Sequence, residues 1–166
     1  MGIEIERKYQ LNQFPQEEID SGRIQILASQ IFEQTYLALS EEQEIRVRKA
    51  VYVDQEEKSV QYTHTFKKGH GMAREEIEYR IDEEIYNQLM EGKTPLVKKR
   101  TVVEYDKISM EIDEYKGFDL ITVEVEFNTE EEALAFEPPS WFGEEVGSKK
   151  EYRNKTLWKS LQTSFG

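Results

Sequence analysis

The amino-acid sequence predicts a mainly β fold with flanking helices, an α+β chain whose antiparallel strands gather charge on one face. Three observations lead there. About eight segments of strand length, rich in Val, Ile, Tyr, Phe and Thr, follow one another along the chain. Within most of them the charged side chains fall on alternate positions, so they share one face of a strand. Helical spacing is confined to a few short stretches between and after the strands.

The first strand, 3–10, sets the pattern: Glu4, Glu6 and Lys8 point one way, and Ile3, Ile5 and Arg7 the other. Segment 14–30 has a mixed pattern and is expected to be helical in part. Strands follow at 33–39 and 43–53, the second setting Glu44, Arg46 and Arg48 opposite Ile45 and Val47. The polar stretch Asp54-Gln55-Glu56-Glu57-Lys58 is a hairpin connection into a strand at 60–67. Strand 73–81 aligns Arg74, Glu76 and Glu78. Asp82 caps a helix to Glu91, with Ile85 and Leu89 spaced for one buried face and Gly92 at the stop. Strands 96–106 and 108–115 present Lys98 with Arg100, then Glu111 with Asp113. Lys116-Gly117-Phe118 turns the chain into strand 119–128, which presents Glu124 and Glu126. Asn128 or Thr129 opens a short helix through Phe136, ended by Pro138-Pro139. Asn154 opens a terminal helix with Leu157, Trp158 and Leu161 on one face. Residues 1–166 are expected to form a single domain.

An antiparallel set of this size closes into a barrel or makes a sandwich. One acidic pair would be the wet side of an edge strand. Its repetition on strand after strand, with both signs of charge, points to the lining of a charged cavity. The aliphatic face would then turn outward, under the helices and loops. Burying so many charges dry would cost several kcal/mol each, so the interior must hold water, a metal ion or a charged ligand.

The bulk composition narrows the partners. The net charge of −12, from 34 acidic and 22 basic residues, gives no general attraction for a nucleic acid polymer, which needs basic surface to displace counterions. The absence of cysteine excludes disulfides, thiolate metal sites and thiol catalysis. No apolar run reaches membrane-spanning length and no signal-peptide core is evident, so the expectation is a cytoplasmic protein without a membrane partner.

Two E-x-E pairs, Glu4/Glu6 and Glu124/Glu126, place carboxylates together on strand faces. If their strands are neighbours, they offer the oxygen ligands that hard cations such as Mg²⁺ or Mn²⁺ prefer. Lys8, Arg46, Arg48, Lys67, Arg74, Lys98 and Arg100 are the complementary donors for phosphate oxygens. The bland alternative is that each base merely neutralises a cross-strand carboxylate. Other features fall away. Gly92-Lys93-Thr94 resembles the end of a phosphate loop, but position 87 is Asn and the segment follows a helix. His64 and His70 lack metal-ligand spacing, Trp141 and Trp158 suit packing, and no nucleophilic serine motif is present.

Taken together, these residues resemble the CYTH domains, the triphosphate tunnel metalloenzymes. Glu4-Ile5-Glu6-Arg7-Lys8 matches the family's E-x-E-x-K, Gln34-Thr35-Tyr36-Leu37 its Q-x-Y-L, and Glu44-Ile45-Arg46-Val47-Arg48 its E-x-R-x-R. Thr65-Phe66-Lys67 and Arg74-Glu75-Glu76-Ile77-Glu78 resemble T-x-K and R-x-E-x-E. Lys98-Lys99-Arg100, Glu111-Ile112-Asp113, Glu124-Val125-Glu126 and Tyr152-Arg153-Asn154 complete the series in order. Thr35 stands where the family commonly has Gly.

The resemblance implies an eight-stranded antiparallel β-barrel, a tunnel whose charged lumen binds a triphosphate with Mg²⁺ or Mn²⁺. It makes Glu4, Glu6 and Glu126 the leading metal ligands, with Glu124 and Asp113 in support. The seven bases would grip phosphate. Glu76 and Glu78 would hold a second metal or the attacking water, and Tyr36 is a candidate proton acceptor, though its ordinary pKa near 10 makes it a weak one. The implied activity is metal-dependent hydrolysis of inorganic triphosphate or a small organic triphosphate such as thiamine triphosphate. A class IV-type adenylyl cyclase making cyclic AMP from ATP, or a non-enzymatic polyphosphate or nucleotide binder, would use the same lumen. Homodimers occur in the family.

Overall fold

The computed structural model describes residues 2–55 and 59–163. Eight strands run in the order β1 (Gly2–Leu11), β2 (Ile24–Leu39), β3 (Gln43–Tyr52), β4 (Val60–Lys68), β5 (Ala73–Arg80), β6 (Leu96–Tyr105), β7 (Ile108–Tyr115) and β8 (Ile121–Glu126). The helices are α1 (Gln16–Asp20), α2 (Glu83–Met90), α3 (Glu130–Ala135) and α4 (Asn154–Thr163), with a 3₁₀ turn at Lys150–Tyr152. All strand pairings are antiparallel and close in the order β1-β5-β4-β3-β2-β6-β7-β8. Of the barrel and the sandwich, the chain forms the barrel.

The barrel is inverted relative to an ordinary small one. Its outer wall carries the larger apolar core: Tyr9, Leu11, Val103, Met110, Ile112, Val123 and Val125 are buried beneath Phe14, Ile19, Phe136, Trp141 and Phe142. β1 is split between two neighbours, pairing with β5 up to Ile5 and with β8 from Glu6 onward. Beyond Ile5 its other edge is laced to the 143–147 segment, by Gly143 N–H to Gln10 O and Val146 N–H to Lys8 O. Gly143 is required there, since a Cβ would stand 2.5 Å from the Gln10 carbonyl oxygen. A second cluster, Leu96, Tyr115 and Leu157 with Trp158 and Leu161 against it, seats α4 across one end of the barrel.

Two sequence expectations change. The 14–30 segment is only briefly helical: α1 stops at Asp20, Gly22 adopts φ +81°, and the strand begins at Ile24, nine residues before 33. β2 pairs with β6 from Ile24 onward, but its register shifts between Ile26 and Ala28. Such a bulge reverses which alternate residues face inward, so the period-two signal cancels across it. In α2 the buried residue is Tyr86, stacked 5.1 Å from Tyr62, while Ile85 is exposed. The other strand ends agree with the sequence reading to within about two residues. Lys116-Gly117-Phe118 forms the expected turn, with Gly117 at φ +86°. Residues 56–58 of the expected connection lie outside the described residues. Among the described residues no helix is long and apolar enough to cross a membrane.

Candidate active site

Alternation turns one row of each strand into the lumen, and closure brings the rows face to face around a cavity of about 490 Å³. Every residue singled out from the sequence lines it except Asp113.

The acids divide into two sets. Oxygens of Glu4, Glu6 and Glu126 all lie within 4.8 Å of one another, because Glu6 and Glu126 are directly paired across β1 and β8 and Glu4 is the next inward residue. Burial pushes the Glu6 carboxyl well above its usual range, and Glu124 and Glu4 add to the effect. Burial also raises Glu126, with Glu111 and Glu4 contributing. Burial opposes charge on Glu4 too, but Lys67 and Arg74 bring it down to about 2. Lys67 Nζ stands 3.2 Å from Glu4 and 3.5 Å from Glu76. Glu76, raised by burial and by its hydrogen bond with Glu4, comes to about 7. The cluster thus holds more carboxylates than its nearby cations neutralise, which suits a divalent cation.

The second set is structural in its contacts. Asp113 is completely buried and accepts hydrogen bonds from Lys98 Nζ at 2.7 Å and from Arg100 Nε and Nη2, both at 2.8 Å. Among the expected ligands it therefore stands apart, with both oxygens engaged and no lumen surface. These bases hold its pKa well below the usual carboxylate range although burial acts the other way. Glu124 faces Arg100 Nη2 at 3.9 Å and, despite burial, is lowered by Arg100 and Lys8.

The bases differ in availability. Arg100 is occupied by Asp113 and by Glu111, which accepts from Nη1. Lys98 donates to Asp113 and to Asn154 Oδ1, and burial brings it down to about 7. Arg46 is freer: it is buried, its Nε has no hydrogen-bond partner among the described residues, and Glu78 lies 3.8 Å from Nη2. Arg48 donates Nε and Nη2 to Gln34 Oε1 at 3.0 and 2.8 Å, leaving Nη1. Lys8 Nζ donates to the Tyr152 carbonyl, and Arg74 spans Glu44 at 3.5 Å and Glu4 at 3.8 Å. Glu78 accepts from Thr65 Oγ1 at 2.7 Å.

Tyr36 faces the lumen beside Trp158, ring centroids 5.6 Å apart. Burial, followed by the charge of Glu44, pushes its phenol up to about 12. The cationic lumen does not make it a base near neutrality. Trp158 also donates its indole N–H to Thr35 Oγ1 at 2.7 Å. His70 lies at the cavity mouth against Glu42, and His64 sits on the barrel wall stacked on Tyr79.

Several residues in or beside the lumen were given no role from the sequence. Glu111 was legible as the partner of Asp113 in E-x-D, and Phe32 alternates inward with Gln34 and Tyr36. Lys155, reaching Glu44 at 3.8 Å from α4, has no local signal because a helix far along the chain delivers it.

The closed barrel thus brings a carboxylate cluster and guanidiniums with uncommitted donors into one lumen. The chain belongs to the CYTH domain family, whose model matches residues 2–154. It is 33% identical over 164 residues to an inorganic triphosphatase of Nitrosomonas europaea, covering 95% of this chain and 98% of that protein. An inorganic triphosphatase of Acetivibrio thermocellus is 27% identical over 168 residues, covering 99% of each. A crystal structure of an inorganic triphosphatase superposes with a TM-score of 0.59 at 32% identity, covering 95% of both chains.

Proposed function

We propose that the chain is a metal-dependent hydrolase of inorganic triphosphate, releasing phosphate and pyrophosphate. The observation that carries this is one lumen that places the Glu4, Glu6 and Glu126 oxygens within 4.8 Å of one another and guanidinium groups with uncommitted donors on its wall. The relatives named as inorganic triphosphatases support the choice of substrate.

The donor set fits Mg²⁺ or Mn²⁺: three carboxylates, with the pKa values of Glu6 and Glu126 raised by burial and then by neighbouring carboxylates. Glu4, Glu6 and Glu126 would hold the ion, with Glu124 behind them. Bound there, a hard cation polarises phosphoryl oxygens and neutralises developing charge. The chain's own residues do the rest. Arg46 and the free Nη1 of Arg48 take phosphate oxygens, and Lys8, Lys67 and Arg74 supply further positive charge along the wall. Arg100, fastened by Asp113, acts as a fixed charge more than as a hand, and Lys98 is tied to the same carboxylate. Glu76 and Glu78 orient the water whose oxygen forms the new P–O bond as the bridging P–O bond breaks, and the water's proton passes to a carboxylate. In such reactions positioning and fixed electrostatics supply most of the acceleration.

The test is Glu6→Gln and Glu126→Gln, assayed for phosphate release with Mg²⁺ or Mn²⁺. Turnover is expected to vanish while the fold is kept. Wild-type rates in both variants would remove the metal assignment.

A further inference from the structure

Phe32 is an aromatic ring set among like charges. It lies on β2, between β3, which carries Arg48, and β6, which carries Lys98 and Arg100. Its ring is buried, at 4% exposure. The Arg48 guanidinium carbon stands 4.1 Å from the ring centroid, the Arg100 carbon 4.9 Å and the Lys98 nitrogen 6.0 Å. A cation over an aromatic face is attracted by the ring's quadrupole, more so where water is excluded. Here the need is plain, since Arg46 and Arg100 both press on Arg48, and Arg100 and Arg48 both press on Lys98.

Among the described residues Arg48 has no carboxylate partner within salt-bridge distance; Gln34 holds its Nε and Nη2 edge. Lys98 and Arg100 have Asp113. Arg48 therefore depends on an amide along one edge and on the Phe32 face for its orientation. Its Nη1 takes part in neither of the Gln34 bonds, and the residue lines the lumen. An aliphatic side chain at position 32 would fill the volume but leave the three cations without a π face beside them.

We infer that Phe32 is a positioning residue for polyphosphate binding, holding Arg48 by its ring face in a group of cations that includes Lys98 and Arg100. The inference rests on the polyphosphate reading of the lumen. Phe32 touches no reacting atom in this role; it acts through Arg48.

The experiment replaces Phe32 with 4-fluoro- and 3,4,5-trifluorophenylalanine, which weaken the quadrupole at nearly constant volume, and with Leu. Binding of inorganic tripolyphosphate with Mg²⁺ is measured by calorimetry, and kcat and KM by phosphate release. Affinity is expected to fall stepwise with fluorination, by about three- to thirtyfold at the trifluoro end. KM should carry the change, kcat should stay nearly constant, and the thermal midpoint should not follow the series. In an Arg48→Met background the fluorine dependence should disappear. Should Phe32→Leu fail to fold, the fluorinated series still decides. Affinity indifferent to fluorination, or an equal dependence without Arg48, overturns the role of Phe32 alone. A wild-type chain that binds no tripolyphosphate overturns the reading of the lumen and this inference with it.

Discussion

Replacing Asp113 with Ala is expected to be among the most damaging single changes in the barrel, although Asp113 reaches no lumen surface. Its side chain is inaccessible and holds Lys98 and Arg100 through three hydrogen bonds of 2.7–2.8 Å. Deleting one partner of a buried ion pair leaves uncompensated charge and costs about 3–5 kcal/mol. For a chain of this size each kcal/mol moves the thermal midpoint by about 2–4 °C, so the drop should be roughly 6–20 °C. Lys98→Met should behave differently. Asp113 keeps both oxygens bonded to Arg100, and burial already disfavours the Lys98 charge, holding it at about 7. Its loss should be below about 1.5 kcal/mol. Urea unfolding at constant slope separates the two outcomes. Equal losses in both variants, or an Asp113→Ala cost under about 1 kcal/mol, would refute the view that this carboxylate is the keystone of the β6–β7 charges.

Other predictions concern the ligand and the pH. Arg48→Ala should raise KM for tripolyphosphate by about tenfold or more, on the scale of one lost charge-assisted hydrogen bond, with a much smaller effect on the thermal midpoint. Unfolding with unchanged binding would return Arg48 to a purely structural role. Mg²⁺ or Mn²⁺ should raise the thermal midpoint of the wild type, and Glu126→Gln should abolish that rise. A persistent rise would place the ion elsewhere. Tyr36 has a folded value raised to about 12 against about 10 unfolded. Its stabilising effect is full below pH 10 and declines as pH climbs through 12, by about 2–3 kcal/mol in all. Tyr36→Phe should flatten that alkaline decline, and an unchanged profile would contradict the burial of the phenol.

Much of this was legible in the sequence because strand alternation is a local rule. Glu4/Glu6, Arg46/Arg48, Glu76/Glu78 and Glu124/Glu126 could each be put on one face, and the structure turns those faces inward. What was not legible depends on register and on distant partners. The bulge after Ile26 hid the first half of β2. Asp113 has the same inward spacing as Glu111, and only its pairing opposite Arg100, with Lys98 in reach, makes it an internal tether. Phe32 carried no signal of its own, because it lies just outside the expected strand 33–39 and the cations around its ring arrive from the two neighbouring strands, β3 and β6. The division of the bases into free and occupied likewise follows from contacts that no spacing encodes.

The most direct measurement is product analysis of the purified chain with Mg²⁺ or Mn²⁺, given inorganic triphosphate, thiamine triphosphate and ATP in separate reactions. A triphosphatase releases phosphate and pyrophosphate from inorganic triphosphate, only with metal, and makes no cyclic AMP from ATP. Cyclic AMP with pyrophosphate, or no turnover of any of the three, would contradict it.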